Sequence, residues 1–96
     1  MGRSYAMNIV MKNLERVLKA LANKRRLAIL QYLKKEKSAT VGDIAGEIKV
    51  SFTATSKHLG KLASADVIER EQRSLEMWYS LAEHPHPAAR QIINLL

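Results

Sequence analysis

The sequence predicts a mostly α-helical domain with one small β-hairpin, arranged as a winged helix-turn-helix. Two observations carry this prediction. A polar, lysine-bearing helical segment over residues 50–62 closely follows a short apolar helix, and two strand-like runs come directly after it. The predicted order is four helices, of which the fourth is the recognition helix, then two strands and a last helix. We expect one domain over residues 1–96, since this length suits a single hydrophobic core.

Positive charge is concentrated in the first third of the chain. Residues 1–37 carry +8 and residues 38–96 carry −1, which together give the formal net charge of +7. A basic balance favours nucleic acid or anionic lipid as a partner, because binding releases counterions from the anionic surface. An ordinary solvated surface is the alternative explanation of this charge pattern.

The chain has no cysteine, which excludes a disulfide framework, a thiolate metal site and a cysteine redox switch. Its first ten residues lack an apolar run of signal-peptide length, and nowhere do 18 apolar residues follow one another. We therefore expect a soluble, cytoplasmic protein. Residues 1–6 are either a natural start or a short extension before Met7.

Apolar spacing and capping residues predict the first two helices. Apolar residues recur at helical spacing from Met7 to Leu21, which predicts a first helix over roughly residues 8–21. Asn23 has a side chain suited to cap the second helix. That helix is expected to bury Leu27, Leu30 and Leu33.

Capping residues also predict the helix-turn-helix, over residues 41–64. Thr40 to Asp43 have the form of a capping box, with Asp in place of the usual Glu or Gln, and predict a third helix. After a short turn through Lys49, Ser51 is expected to cap the recognition helix over residues 52–64.

The remaining residues predict the wing and a last helix. Residues 67–71 and 75–81 favour β-structure around residues 72–74, so a hairpin is predicted over residues 67–81. Two prolines then interrupt the chain, and the apolar spacing beyond them predicts a last helix over residues 87–96.

Three motifs in this order resemble the ArsR/SmtB family of dimeric winged-helix repressors. Residues 18–30 are similar to the opening signature of the family, Ser56-x-His58-Leu59-x-x-Leu62 to its recognition-helix signature, and Trp78-Tyr79-x-Leu81 to the end of its wing. The resemblance covers about residues 17–81. It implies a homodimer that binds a palindromic DNA operator through the major groove.

The chain departs from this family at the positions that hold metal. The metal-sensing members carry a Cys-x-Cys-Asp-Leu pattern on the third helix, where this chain has residues Thr40 to Ile44. Near the last helix only His84 and His86 are available, too few for a second family site. We predict no metal site and no cofactor, and the sequence identifies no effector.

Two further departures concern the turn and the wing. The family often has Gly where Lys49 stands, and a Gly-Arg pair at the wing tip where Ser74-Leu75 stand. A positive φ at Lys49 is expected to cost of order 1 kcal/mol. The missing wing arginine leaves Arg70 or Arg73 as its substitute.

Hydroxyl and cationic side chains on the predicted recognition face are the candidate DNA contacts, since they bond phosphates and base edges. The alternative is an ordinary solvated helix face. The predicted contacts are Thr40, Ser51, Thr53, Ser56, Lys57, Lys61, Arg70 and Arg73.

Three other residues lie near the predicted recognition face, and their roles are less direct. Phe52 either packs under the third helix, which we expect, or contacts a thymine methyl group. His58 is expected to be half-buried and bonded to the backbone. Arg26 has either a structural role within the domain or a phosphate contact, and the Lys24 to Arg26 cluster is otherwise an ordinary solvated one.

The first and last helices carry more apolar surface than the edge of a small domain requires. We expect them to pair with a second copy, which would place two recognition helices about 34–36 Å apart on DNA. The alternative is that both faces fold back on their own domain. The predicted interface residues are Met7, Val10, Met11, Leu14, Leu18, Ile92, Ile93 and Leu96.

The sequence therefore favours a homodimeric, sequence-specific transcriptional regulator, most simply a repressor. The alternative is a winged-helix module that binds protein or RNA without its own operator, which the acids Glu69, Glu71 and Glu76 on the wing favour. An enzyme is not predicted, because the sequence has no Gly-rich phosphate loop, paired carboxylates or nucleophile with a positioned base.

Overall fold

The computed structural model describes the backbone of residues 2–96 and the side chains of residues 4–96. Met1, which is part of the predicted domain and of the segment 1–6 that is either a natural start or a short extension, lies outside the described residues. Within the described residues, five helices and three strands follow in the order α1 (Gly2–Leu21), α2 (Lys24–Glu36), β1 (Ser38–Thr40), α3 (Val41–Ile48), α4 (Phe52–Ser64), β2 (Ile68–Arg73), β3 (Glu76–Leu81) and α5 (Pro87–Leu95). This is the predicted winged helix-turn-helix, with one strand added.

Side-chain caps fix the start of three helices where the sequence predicted them. The Asn23 side chain accepts a hydrogen bond from the backbone N–H of Arg26, at 3.1 Å. The Thr40 hydroxyl accepts from the Asp43 N–H and the Asp43 carboxylate accepts from the Thr40 N–H, both at 3.2 Å. The Ser51 hydroxyl accepts from the Ala54 N–H and caps α4. Each cap gives a partner to an amide that the first helical turn leaves unpaired.

The first helix is longer than predicted. Its apolar stripe begins at Met7, and the sequence prediction placed the start near residue 8, whereas α1 begins at Gly2. Backbone hydrogen bonds continue the helix toward the N-terminus without requiring an apolar contact at each turn. Nothing between Gly2 and Met7 stops it, because this segment contains no proline.

Strand β1 is the element that the sequence prediction missed. It pairs antiparallel with β3, and β3 pairs with β2, so the sheet order is β1-β3-β2. Ala39 of β1 lies opposite Tyr79 of β3, and both are buried. Because Thr40 ends β1 and caps α3, this pairing fixes the start of the helix-turn-helix against the wing.

Two tight turns use a left-handed backbone at non-glycine residues. Lys49, which ends α3, has φ 57° and ψ 49°, and its N–H donates to the Ala45 carbonyl. Ser74, at the hairpin turn between β2 and β3, has φ 58°. Both are positions where the family often carries Gly, and Lys49 adopts the positive φ whose cost was considered from the sequence.

One core joins all of these elements. Ile29, Leu30 and Leu33 of α2 form its centre, and Leu27 is only half-buried. Leu59 and Leu62 anchor α4 from one side. The recognition helix is therefore held by its apolar face, and its opposite face is left to solvent.

Candidate nucleic-acid interface

The recognition helix α4 presents a polar, cationic face between two fixed ends. At its start, the Ser51 hydroxyl accepts the capping hydrogen bond at 3.1 Å. Thr53, Lys57 and Lys61 are exposed, and Ser56 is half-buried. Helical spacing places Thr53, Lys57 and Lys61 on the face opposite Leu59 and Leu62, and the half-buried Ser56 lies at the edge of that face.

Two cations of α1 lie beside the lysines of α4. A cleft of about 530 Å³ is lined by Arg16 and Lys19 of α1 and by Lys57 and Lys61 of α4. The sequence prediction did not assign Arg16 or Lys19 to the DNA-binding site. Their spacing of three residues put them on one face, but only the tertiary fold brings that face to α4. We name this feature the basic cleft.

Arg16 also holds the end of the recognition helix. Its guanidinium donates to the Ser64 carbonyl, and another of its nitrogens lies 3.6 Å from the Asp66 carboxylate. Lys19 lies 3.9 Å from Glu15 on the same helix, an exposed pair of small energetic weight. Lys19 thus remains available to an anion in the basic cleft, while Arg16 mainly positions α4.

Arg26 is a structural residue, one of the two alternatives that the sequence left open. Only 9% of it is exposed, and its guanidinium donates to the carbonyls of Ala20 at 2.6 Å and Lys19 at 3.1 Å. A third nitrogen lies 3.2 Å from Nδ1 of His58. Arg26 therefore binds the end of α1 and the recognition helix at once, and has little surface left for phosphate.

His58 is half-buried, as expected, but its partner is the Arg26 side chain rather than the backbone. Because a guanidinium only donates, Nδ1 is the acceptor, and the neutral ring carries its proton on Nε2. Burial, with the nearby charges of Arg26, Arg25 and Lys61, lowers the pKa of His58 below its ordinary value of 6.5.

The wing carries two exposed arginines, of which one is engaged by neighbouring side chains. Arg70 is exposed on β2. Nε of Arg73 donates to the Glu71 carboxylate at 2.9 Å, and its guanidinium carbon lies 4.9 Å from the centre of the Trp78 ring. Both contacts hold Arg73 along the sheet. To contact DNA, Arg73 would have to break its contacts with Glu71 and Trp78. Arg70 is therefore the more accessible substitute for the missing wing arginine.

Thr40 lies at the edge of this surface rather than within it. It is half-buried, and its hydroxyl accepts the capping hydrogen bond of α3. That hydroxyl can still donate its proton outward. Its predicted role as a phosphate contact therefore depends on the phosphate reaching the start of α3.

Phe52 does not pack under the third helix, and the expectation of core packing was wrong. The first residue of α4 is 62% exposed. Phe52 has the helical spacing of the buried face of α4, but it precedes the first buried side chain of that helix, Thr55, by one turn. Spacing alone did not distinguish the edge of that buried face from its centre.

The predicted interface residues divide between surface and core. On α1, Met7, Val10, Met11 and Leu18 are between 47% and 62% exposed, and Leu14 is half-buried. On α5, Ile93 is buried at 7% exposure in the core of its own chain. Because that side of α5 packs on its own domain, Ile93 offers almost nothing to a second copy. Ile92 and Leu96 are half-buried against the same core.

The two histidines before α5 have ordinary surroundings. Nδ1 of His86 accepts from the Ala88 N–H at 3.0 Å and caps α5. His84 is exposed and lies 3.9 Å from Glu83. Within the part of the chain that the structure describes, no three His, Cys, Asp or Glu side chains lie close enough together to hold a metal ion.

The fold and the recognition face define a class of DNA-binding domain, and comparison with known proteins agrees. The family model described as "Helix-turn-helix domain" matches residues 21–71. The chain is 34% identical over 80 residues to the transcriptional repressor PagR of Bacillus anthracis, a match that covers 83% of this chain and 77% of that protein. It is 38% identical over 63 residues to the nodulation protein NolR of Rhizobium meliloti, covering 66% of this chain and 51% of that protein.

Solved structures of winged helix-turn-helix regulators are also similar to this chain. The homodimeric winged helix-turn-helix DNA-binding domain of a possible ArsR-family regulator from Mycobacterium bovis superimposes with a TM-score of 0.84 at 29% identity, covering 98% of this chain and 83% of that one. The crystal structure of PagR superimposes with a TM-score of 0.76 at 30% identity, covering 92% and 97%. The chain belongs to the ArsR/SmtB family of winged helix-turn-helix regulators. Among residues 2–96, no helix has both the length and the apolar composition that crossing a membrane requires.

Proposed function

We propose that this protein is a homodimeric transcriptional repressor of the cytoplasm that binds a palindromic DNA operator through α4. The observation that carries the proposal is the basic cleft, where cations of α1 lie beside Lys57 and Lys61 of the recognition helix. No catalytic activity is proposed for it.

The recognition face of α4 carries two kinds of side chain, one suited to phosphates and one suited to base edges. Lys57 and Lys61 are long, exposed and cationic, which suits phosphate oxygens on either side of a major groove. Thr53 and Ser56 are short hydroxyl residues, so they reach base edges or phosphates only where α4 lies close to the groove. In this proposal the cations set the position of α4 and the residues of its first two turns select the sequence.

The apolar stripe of α1 supports the homodimer. Met7, Val10 and Met11 are each about 60% exposed on one side of a 20-residue helix. Exposed apolar area of this kind is characteristic of an interface. Pairing α1 with its copy would place the two recognition helices on one side of the dimer, one turn of DNA apart.

The test is selection of bound duplexes from a random library, with elution at rising salt and the molecular mass measured by light scattering. The proposal predicts an enriched palindrome and a mass of twice 10.8 kDa. Retention without an enriched sequence, or a monomer that does not bind duplex DNA, would contradict it.

A second candidate function has one specific observation in its favour. Glu71 and Glu76 lie on the wing, and Glu71 neutralises Arg73, so this hairpin repels phosphate more than a basic wing would. These features suit a winged-helix module that binds protein or RNA. A selection that enriches single-stranded RNA over duplex DNA, or neither, would favour this alternative.

A further inference from the structure

The start of the recognition helix carries an exposed aromatic side chain that the phosphate and hydroxyl contacts leave unused. Phe52 is the first residue of α4 and is 62% exposed. Leu75, at the hairpin turn of the wing, is 96% exposed. Together with Val41 and Met77 they line a cleft of about 310 Å³ between the starts of α3 and α4 and the wing tip.

The chemistry of the first turn of α4 limits what it can recognise. Residues 51–54 are Ser, Phe, Thr and Ala. Guanine is read chiefly by Arg or Lys and adenine by Asn or Gln, and none of these occurs in α4 before Lys57. The residues at the start of a recognition helix are those that contact base edges in this class of fold. Phe52 is the longest side chain among them.

The major-groove edges of the four bases present one apolar group, the C5 methyl of thymine. Covering it with an aromatic ring removes apolar surface of both partners from water. The Ser51 oxygen accepts the capping hydrogen bond from Ala54, so this hydroxyl is held at the helix start beside the ring of Phe52. The apolar walls supplied by Leu75 and Val41 extend the same surface toward the wing.

We propose that Phe52 selects a thymine in each half-site of the operator through its C5 methyl group, with Leu75 completing the apolar surface. This inference rests on the proposed function, since it assigns the base that the same DNA-binding face prefers. A thymine at one fixed position of each half-site is the expected feature of the enriched palindrome.

The experiment compares thymine with uracil, which differs only by the methyl group, in the duplex that the wild-type protein enriches. Each symmetric pair of thymines is replaced in turn, and affinity is measured for the wild type and for Phe52→Ala, Phe52→Leu and Lys35→Ala. Lys35 is exposed at the end of α2, outside the recognition helix and the two terminal helices, and serves as the control.

At one position, uracil is expected to weaken wild-type binding about fourfold for each thymine replaced, the factor that burial of one methyl group contributes. Phe52→Ala should bind the thymine duplex more weakly and lose this discrimination, Phe52→Leu should keep part of it, and Lys35→Ala should match the wild type. Because Phe52 is exposed, its replacement leaves the core intact, and circular dichroism checks this.

Three results would overturn the inference: a wild-type protein indifferent to uracil at every position, a Phe52→Ala variant that keeps the full discrimination, or one whose DNA affinity is unchanged. The last would remove Phe52 from the DNA-binding surface. A wild-type protein that enriches no duplex would overturn the proposed function itself, and that outcome is seen before any uracil is introduced.

Discussion

Nη1 of Arg26 lies 3.2 Å from Nδ1 of His58, and this contact joins the first turn of α2 to the middle of the recognition helix. The same guanidinium donates to the carbonyls of Lys19 and Ala20 at the end of α1. One buried side chain thus links the helix proposed to form the dimer with the helix proposed to bind DNA.

Replacing this arginine should destabilise the fold. Arg26→Ala is expected to lower the free energy of unfolding by about 3 kcal/mol, because the two carbonyls lose a charged donor in a partly buried place. Urea denaturation measures the change. The neighbouring Arg25 is exposed, so Arg25→Ala serves as the control and should stay within about 0.5 kcal/mol of the wild type. Equal effects of the two substitutions would show that the contacts of Arg26 contribute nothing specific.

The stability of the protein should decline in mild acid because of His58. Burial and the charges of Arg26, Arg25 and Lys61 lower the pKa of His58 in the folded state below 6.5. The unfolded chain therefore takes up the proton first, and stability present above that ordinary pKa is lost as the pH falls toward the lowered value. Denaturation curves between about pH 7.5 and pH 5.5 measure this loss.

Glutamine at this position accepts a hydrogen bond without titrating, so His58→Gln should flatten the pH dependence of stability over the same range. His84 is exposed, and His84→Gln should keep the wild-type slope. A His58→Gln variant as acid-sensitive as the wild type would assign the loss to other groups.

Removing one buried hydroxyl should stabilise the recognition helix. Thr55 is fully buried in α4, and its Oγ1 has no hydrogen-bond partner among the described residues. Thr55→Val keeps the shape and removes the unpaired oxygen, and is expected to raise the free energy of unfolding by about 1 kcal/mol. Thr53→Val, at an exposed position of the same helix, should give no such gain. A destabilised Thr55→Val protein would mean that the hydroxyl is bonded in solution.

Charge placed on the apolar stripe of α1 should separate the proposed dimer. Met11 is 60% exposed, and Met11→Asp would bury a carboxylate in the interface, at a cost that a small dimer cannot offset. Light scattering should then give 10.8 kDa in place of twice that mass. Lys12→Asp puts the same carboxylate on the polar face of α1 and should leave the dimer intact. An unchanged mass for Met11→Asp would place the interface elsewhere.

Features set by neighbours in the chain could be predicted from the sequence, and features set by distant contacts could not. The caps at Asn23, Thr40 and Ser51 each use an amide three residues away, so the starts of α2, α3 and α4 followed from local patterns. Strand β1 is three residues long and forms only by pairing with β3, whose residues 78–80 lie far along the chain. No local signal marks a strand of that kind.

In the candidate DNA-binding site, too, features set by local spacing could be predicted and features set by distant contacts could not. Helical spacing placed Thr53, Ser56 and Lys57 on one face. The basic cleft needs the packing of α1 beside α4, and the Arg26 to His58 contact spans 32 positions. Phe52 was misassigned because an apolar residue at the edge of a buried face has the same spacing as one within it. Phe52 is exposed at the first position of α4, and the buried side chains of that helix begin one turn later, at Thr55.

The salt dependence of DNA binding by Lys57→Ala tests the central claim most directly. On the duplex that the wild-type protein enriches, the substitution should weaken binding and reduce the slope of log K against log salt by about 1 for each phosphate that Lys57 neutralises. Lys35→Ala removes the same charge from an exposed position at the end of α2 and should keep the wild-type affinity and slope. Indistinguishable salt slopes for Lys57→Ala, Lys35→Ala and the wild type would contradict the assignment of α4 as the DNA-binding helix.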